Sequence, residues 1–437
     1  MARIFLHIAK DKGVLLVIML SLSPFIAFWL TGAATIGHHV GDLIASYFLL
    51  WGFAALLSRT PQDELRKRFL LLTVTLFFTL AVLEVPGVLG IVDYRSVFST
   101  PSDNEWEEPG RVFDDELLWR SQPHYQRHIK YTKGNIGEVL CLPPGPEREF
   151  NLRYDQNGFR NEEDFVTADI AIIGDSYVEA PMIEHSHIMT SALSQLQNKT
   201  VVNLGMSGHG PQQELITFKR YLPQLHPKTV VWVFYGGNDL YDMKQYKIDK
   251  ERATSESRLS KLWNRTLIKN VLSFAFRVSS QCVPQSNALR RYGIIQNAEG
   301  QHRRYFVGTN SDLLPLDLGA LEATRSIIKE AYHLAQERGI NLVFVYVPDA
   351  FSVYQGLSNL IEVSDEIKQW EVSDLSDRLR VIVADISPKI HYLDLTSALK
   401  SAAAKGTQVF LGDDTHWTEE GHRIAAEAIS DVLNSHP

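Results

Sequence analysis

Residues 169–177 read DIAIIGDSY. The apolar run Ile170–Ile173 has no polar alternation, as expected for a strand buried on both faces of a parallel sheet. It stops at Gly174 and hands over to Asp175 and Ser176. Val201–Leu204, Val230–Tyr235, Leu342–Val347 and Tyr392–Leu395 repeat the pattern. Between these runs, Pro211–Tyr221, Leu318–Arg338 and Thr418–Leu433 carry helical periodicity. Strands alternating with helices predict an α/β fold, a parallel sheet wound by right-handed crossovers. Ligands of such sheets sit beyond the carboxyl ends of the strands, so chemistry is sought at the strand-to-loop junctions.

Those junctions hold reactive residue types. The first run ends in Gly174-Asp175-Ser176, the second in Asn203-Leu204-Gly205-Met206-Ser207-Gly208, and the third in Gly236-Gly237-Asn238-Asp239. A serine past a strand end is a nucleophile if a base lies close. Glycine N–H groups and an Asn amide there can donate to an oxyanion. Asp413-Asp414-Thr415-His416 precedes the last helix and places carboxylates just behind an imidazole, whose ordinary pKa of ~6.5 suits proton shuttling. Each signal alone is ordinary turn chemistry. His185-Ser186-His187 resembles a metal pair, but no third ligand is near in sequence, and surface histidines are the plainer reading.

The four blocks in this order resemble the SGNH (GDSL-like) hydrolase superfamily, with the match falling on Ser176, Gly208, Asn238 and His416 over roughly Asp155–Leu433. The resemblance implies a three-layer α/β/α domain with five parallel strands in flavodoxin-like order. It also implies hydrolysis or transfer of an acyl ester. Catalysis would fall to Ser176 and His416, with Asp413 orienting the ring at the D-x-x-H spacing and Asp414 as the alternative carboxylate. The oxyanion hole would comprise Ser176, Gly208 and Asn238. Gly205 is the weaker fit to the second block. No metal or organic cofactor is implied. The leading expectation is a serine esterase. The alternatives are an O-acyltransferase modifying cell-surface polysaccharide and a non-catalytic glycan-binding module.

Outside this region the composition changes. Residues 1–92 are mostly apolar, with runs at about 13–32, 41–58 and 69–92 that predict three transmembrane helices. Glu84 in the third is expected at the membrane interface. Arg3, Lys10, Lys12, Arg59, Arg66, Lys67 and Arg68 flank the runs, and none lies between Thr31 and Asp42. The positive-inside rule then puts the N-terminus in the cytoplasm and the large domain outside it, on the outer face of a bacterial inner membrane. The whole chain carries 43 basic and 51 acidic residues, a net charge of −8, which argues against a nucleic-acid partner. The expected partners are the bilayer and an ester-bearing glycan or lipid.

Residues 93–154 read as a linker and entry segment, and 155–437 as the hydrolase-like domain. Asp155–Arg160 (DQNGFR) marks a turn, with Gly158 free to take positive φ. A basic insertion at about 240–313 holds 13 Lys+Arg against 6 Asp+Glu. Within it Leu259, Leu262, Trp263, Thr266, Leu267, Val271 and Phe274 are expected to share one helical face. Cys141 and Cys282 are the two cysteines, and a bond between them is permitted outside the cytoplasm.

Overall fold

The computed structural model describes residues 62–92, 94, 110–145, 147–255, 266–271, 291–297, 300–306 and 316–435. The chain divides into two units, residues 1–100 with 256–281, and residues 101–255 with 282–437. In the first unit the helix Gln62–Val88 contains Pro86. The carboxylate of Glu84 accepts from the backbone N–H groups of Leu267 (2.7 Å) and Ile268 (2.6 Å), at the start of the helical turn 267–271. No helix among the described residues is long and apolar enough to cross a membrane, so the expected span at 69–92 lacks support. The spans at 13–32 and 41–58 lie outside the described residues.

In the second unit, the segment expected to be a linker is structured from Gly110 onward. It forms two antiparallel hairpins, β1 (Arg111–Asp114) with β2 (Leu118–Ser121) and β3 (Gln126–Tyr131) with β4 (Arg148–Arg153). The short helix Asn135–Val139 stands between β3 and β4. Ile129, Tyr131, Phe150, Leu152 and Tyr154 pack with Ala180, Met182, Ile183 and Leu411, which makes these hairpins part of the domain's core.

The strands β5 (Ile170–Gly174), β6 (Val201–Gly205) and β7 (Thr229–Tyr235) begin the main sheet. A hairpin follows, β8 (Tyr292–Asn297) and β9 (Gly300–Tyr305). After it come β10 (Asn341–Val347), β11 (Leu360–Val363) and β12 (His391–Asp394). The main sheet is parallel throughout, in the order β12-β10-β7-β5-β6. Counting only its own strands this is 2-1-3-4-5, the flavodoxin-like order the sequence leads one to expect. β11, β8 and β9 form a separate small sheet.

Period-two side-chain alternation sends the strands' apolar residues to two cores. Ala171, Ile173, Trp232 and Phe344 face helices Pro211–Leu225, Leu318–Glu337 and Leu375–Ile386. Ile170, Ile172, Val231 and Val345 face helices Met189–Gln197, Thr396–Ala404 and Glu419–Ser435. Three layers result.

The basic insertion is not one element. Its beginning is the helix Asp239–Ser255, and its end is the β8–β9 hairpin. Of the expected helical face, Thr266, Leu267 and Val271 are described; Thr266 is buried and Val271 is exposed, so a single buried stripe does not hold there. Leu259, Leu262, Trp263 and Phe274 lie outside the described residues.

Candidate active site

β5 delivers Ser176 at the first turn of the helix Ser176–Glu179. Asp175 caps that turn, accepting from Tyr177 N at 2.9 Å. Ser176 is half-buried, and its Oγ lies 2.7 Å from His416 Nε2. The other ring nitrogen, Nδ1, lies 2.5 Å from Asp414 Oδ1. The three groups form one hydrogen-bonded line with the base between nucleophile and carboxylate, the arrangement that activates a hydroxyl.

The carboxylate on the ring is therefore Asp414, not Asp413. Asp414 Oδ1 also accepts from His416 N at 2.9 Å, which closes a tight turn. Its Oδ2 accepts from Tyr131 Oη (3.0 Å) and Asn135 N (2.9 Å). Burial would raise the Asp414 pKa, but the His416 charge and the hydrogen bonds to its two oxygens outweigh it and hold Asp414 at about 2. Asp413 turns away. Its Oδ2 accepts from Gly134 N at 2.8 Å, and its backbone oxygen accepts from Gly137 N at 2.8 Å. A Cβ on Gly137 would come within 2.4 Å of Asp413 Oδ2, so this approach needs glycine.

Sequence reasoning missed the residues that clamp this line. Tyr131 and Asn135 come from the segment expected to be a linker. Asn135 also donates to Thr415 Oγ1 (2.8 Å) and accepts from Thr415 N (3.0 Å). Arg304, from β9 of the insertion, is buried and donates to the Asp414 backbone oxygen at 2.7 Å. Tyr177 donates to Thr415 O at 2.7 Å and lays its ring 5.3 Å from the His416 ring.

The second block is joined to the nucleophile helix. Glu179 is buried and accepts from Tyr154 Oη and from Ser207 N, both at 2.6 Å. Met206 N donates to Gly174 O at 3.0 Å. Gly208 next to them is exposed. The turn at Asp155–Arg160 supports the same loop. Gly158 takes φ +83°, as its sequence predicts, and buried Arg160 donates to the backbone oxygens of Glu179, Ala180 and Ile183. The signal was the DQNGFR turn itself, but nothing in it says where the arginine reaches.

Asn238 sits between β7 and helix Asp239–Ser255. Its Nδ2 donates to Asp242 Oδ2 at 2.7 Å, and the amide also lies against the buried Asp175 carboxyl. Asp239 Oδ2 accepts from Tyr235 N at 2.8 Å. Asp175, Glu214 and Asp239 are all buried near one another and near half-buried Asp242. Burial pushes all four carboxyls up, and charge repulsion adds to it at Glu214, Asp239 and Asp242, the last reaching about 7. Among the described residues no group of His, Cys, Asp and Glu is placed to hold a metal, and His185 instead lies 3.3 Å from Ser191 Oγ. Cys141 is disulfide-bonded. The sequence has one other cysteine, Cys282, which lies outside the described residues.

Residues 305–437 match a family model described as SGNH hydrolase-like domain, acetyltransferase AlgX. A stretch of 114 residues is 31% identical to a protein of Pseudomonas fluorescens named probable alginate O-acetylase AlgJ, covering 26% of this chain. The aligned stretch spans about a quarter of that relative's length, 27%. Among solved structures, a GDSL-like lipase from Bacteroides thetaiotaomicron is 14% identical, with 61% of this chain and 88% of the other covered at a TM-score of 0.30. The esterase EstA from Pseudoalteromonas is 10% identical, with 61% and 96% covered at a TM-score of 0.32. The family match over residues 305–437, with the four sequence blocks and the five-stranded sheet order, supports the SGNH hydrolase superfamily for this domain.

Proposed function

We propose that this protein forms an acyl-enzyme on Ser176 and passes the acyl group, an acetyl, to a hydroxyl of a polysaccharide. The observation that carries the chemistry is the Ser176–His416–Asp414 line, at 2.7 and 2.5 Å. The polysaccharide acceptor is supported by the acetyltransferase family match and the alginate O-acetylase relative. Ser176 Oγ attacks the donor carbonyl as His416 Nε2 takes its proton. The developing oxyanion is met by the N–H groups of Ser176 and Gly208 and by the Asn238 amide, which turns to it from its carboxyl neighbours Asp242 and Asp175. His416 then protonates the departing alcohol, and Asp414 stabilises the imidazolium between the two steps. In the second half, His416 deprotonates a sugar hydroxyl, which attacks the acyl-enzyme and frees Ser176. Water in place of the sugar gives simple ester hydrolysis.

A fluorophosphonate should label the wild-type protein at Ser176 and leave Ser176→Ala unlabelled. With an aryl acetate as donor, added polysaccharide oligomers should divert acetyl from free acetate to the oligomer, read by mass. Labelling without diversion would leave an esterase, and no labelling would remove the serine mechanism.

We also propose that the domain lies outside the cytoplasm of a bacterial cell, tethered to the inner membrane by its N-terminal segment. The charge-free run Gly13–Gly32 with its flanking Arg3, Lys10 and Lys12 supports this, as does the disulfide at Cys141, a bond rare in reducing compartments. A phosphatase fused after Val92 should be active, and the full chain should stay with membranes in alkaline carbonate. An inactive reporter or a released chain would overturn the placement.

A further inference from the structure

The β1–β2 hairpin has an exposed face next to the candidate oxyanion loop. Phe113 on β1 is paired directly with Trp119 on β2, and Arg111 with Ser121, so Arg111, Phe113 and Trp119 share one face of the hairpin. Phe113 is 68% exposed, Arg111 is exposed and Trp119 is half-buried. The Arg111 guanidinium stands 5.5 Å from the centre of the Trp119 ring, and its Nη2 donates to Ser207 O at 3.4 Å. A Cβ at Gly208 would touch Trp119 Cζ2 at 3.4 Å.

This face is fixed relative to the nucleophile. Ser207 N is held by Glu179, the last residue of the helix that Ser176 opens. At its other end the hairpin is anchored by Asp114, which accepts from Arg220 at 2.6 and 3.0 Å, and by Glu116, which accepts from Arg220 at 2.7 Å. Arg120 also lies 3.7 Å from Asp114, so two guanidiniums stand against these two carboxylates. Arg111 forms no ion pair with a carboxylate among the described residues, whereas Arg120 and Arg220 of the same region do. Exposed aromatic surface beside a guanidinium that holds only a long bond to a backbone oxygen and a ring contact suits a ligand with an apolar ring face and a carboxylate. A uronic-acid sugar has both.

Resting on the polysaccharide reading above, we infer that Arg111, Phe113 and Trp119 are the surface that binds a carboxylate-bearing sugar of the acceptor chain beside Gly208. Arg111 takes the carboxylate as a paired hydrogen bond, and the two rings take the sugar's C–H face. The surface selects the acceptor and takes no part in bond making.

Direct binding separates this inference from the fate of the reaction. Calorimetry on the full-length protein should use short polyuronate oligomers and, in parallel, neutral oligomers of similar length. Arg111→Gln should weaken the uronate oligomer about tenfold and leave the neutral one within about twofold. Trp119→Phe, which keeps an aromatic ring and the packing, should weaken both by a few-fold. Equal affinity of wild type and Arg111→Gln for the uronate would overturn the inference, as would equal losses for both oligomers. Fluorophosphonate labelling of the same samples reports separately on Ser176, so a failed serine mechanism and a failed sugar surface give different results.

Discussion

At the scale of the residue, the site turns on which of two adjacent aspartates holds the imidazole. Asp414 is buried and contacts His416 Nδ1, while Asp413 spends its carboxylate on Gly134 N. Asp414→Asn keeps the size but presents the wrong partner to the ring, and a change of that kind costs about 10³–10⁴ in kcat. Asp413→Asn should stay within about tenfold, because its acceptor oxygen can still face Gly134 N. Steady-state kinetics on an aryl acetate measures both, and a larger loss for Asp413→Asn would return the role to it. Neighbouring aspartates carry the same charge and the same propensity. Their roles differ through the path of one loop, which no sequence pattern encodes.

At the scale of the element, the least expected contribution comes from β3 and the short helix after it. Tyr131 Oη and Asn135 N both donate to Asp414 Oδ2, so the triad carboxylate is oriented from outside its own loop. Tyr131→Phe removes one of these donors from a buried carboxylate and should lower kcat by about tenfold, with KM little changed. An unchanged kcat would show that Asn135 N alone suffices. The five main strands were legible because both their faces are buried, which leaves unbroken apolar runs such as Ile170–Ile173. The hairpins were not. β3 (QRHIKY) and β4 (REFNLR) bury one face only and fill the other with charge, so Ile129 and Phe150 look isolated in sequence. For the same reason the insertion's hairpin gave no hint that Arg304, one of its many basic residues, reaches the site.

At the scale of the whole molecule, the carboxyls under the third block make stability depend on pH. Asp175, Glu214, Asp239 and Asp242 are all raised by burial, the last three also by charge repulsion, so the folded chain keeps protons there that the unfolded chain releases. The contribution of these four groups to stability should therefore fall as pH rises from about 4 through 7, with Asp242 titrating at about 7. His185, His209 and His422, whose pKa values are lowered by burial, act in the opposite sense below about 6.5. Glu214→Gln removes one charge from the group and keeps an oxygen for Trp232 Nε1, which Glu214 now accepts at 2.6 Å. Its melting temperature should exceed wild type by about 2 °C or more at pH 8, with the gap closing at pH 5. A gap that is the same at both values would mean that these groups do not carry the dependence.

The way the site is closed also has a consequence for its assembly. Ser176 and His416 are 240 residues apart, and Tyr131 and Asp414 are 283 apart. Contacts between such distant positions form late, because the intervening chain must be ordered first. On dilution from denaturant, helical circular dichroism should return before Ser176 regains its reactivity toward a fluorophosphonate, and simultaneous recovery would contradict this. Until the far ends of the domain meet, a partly folded chain holds a serine without its base, and the reaction stays silent.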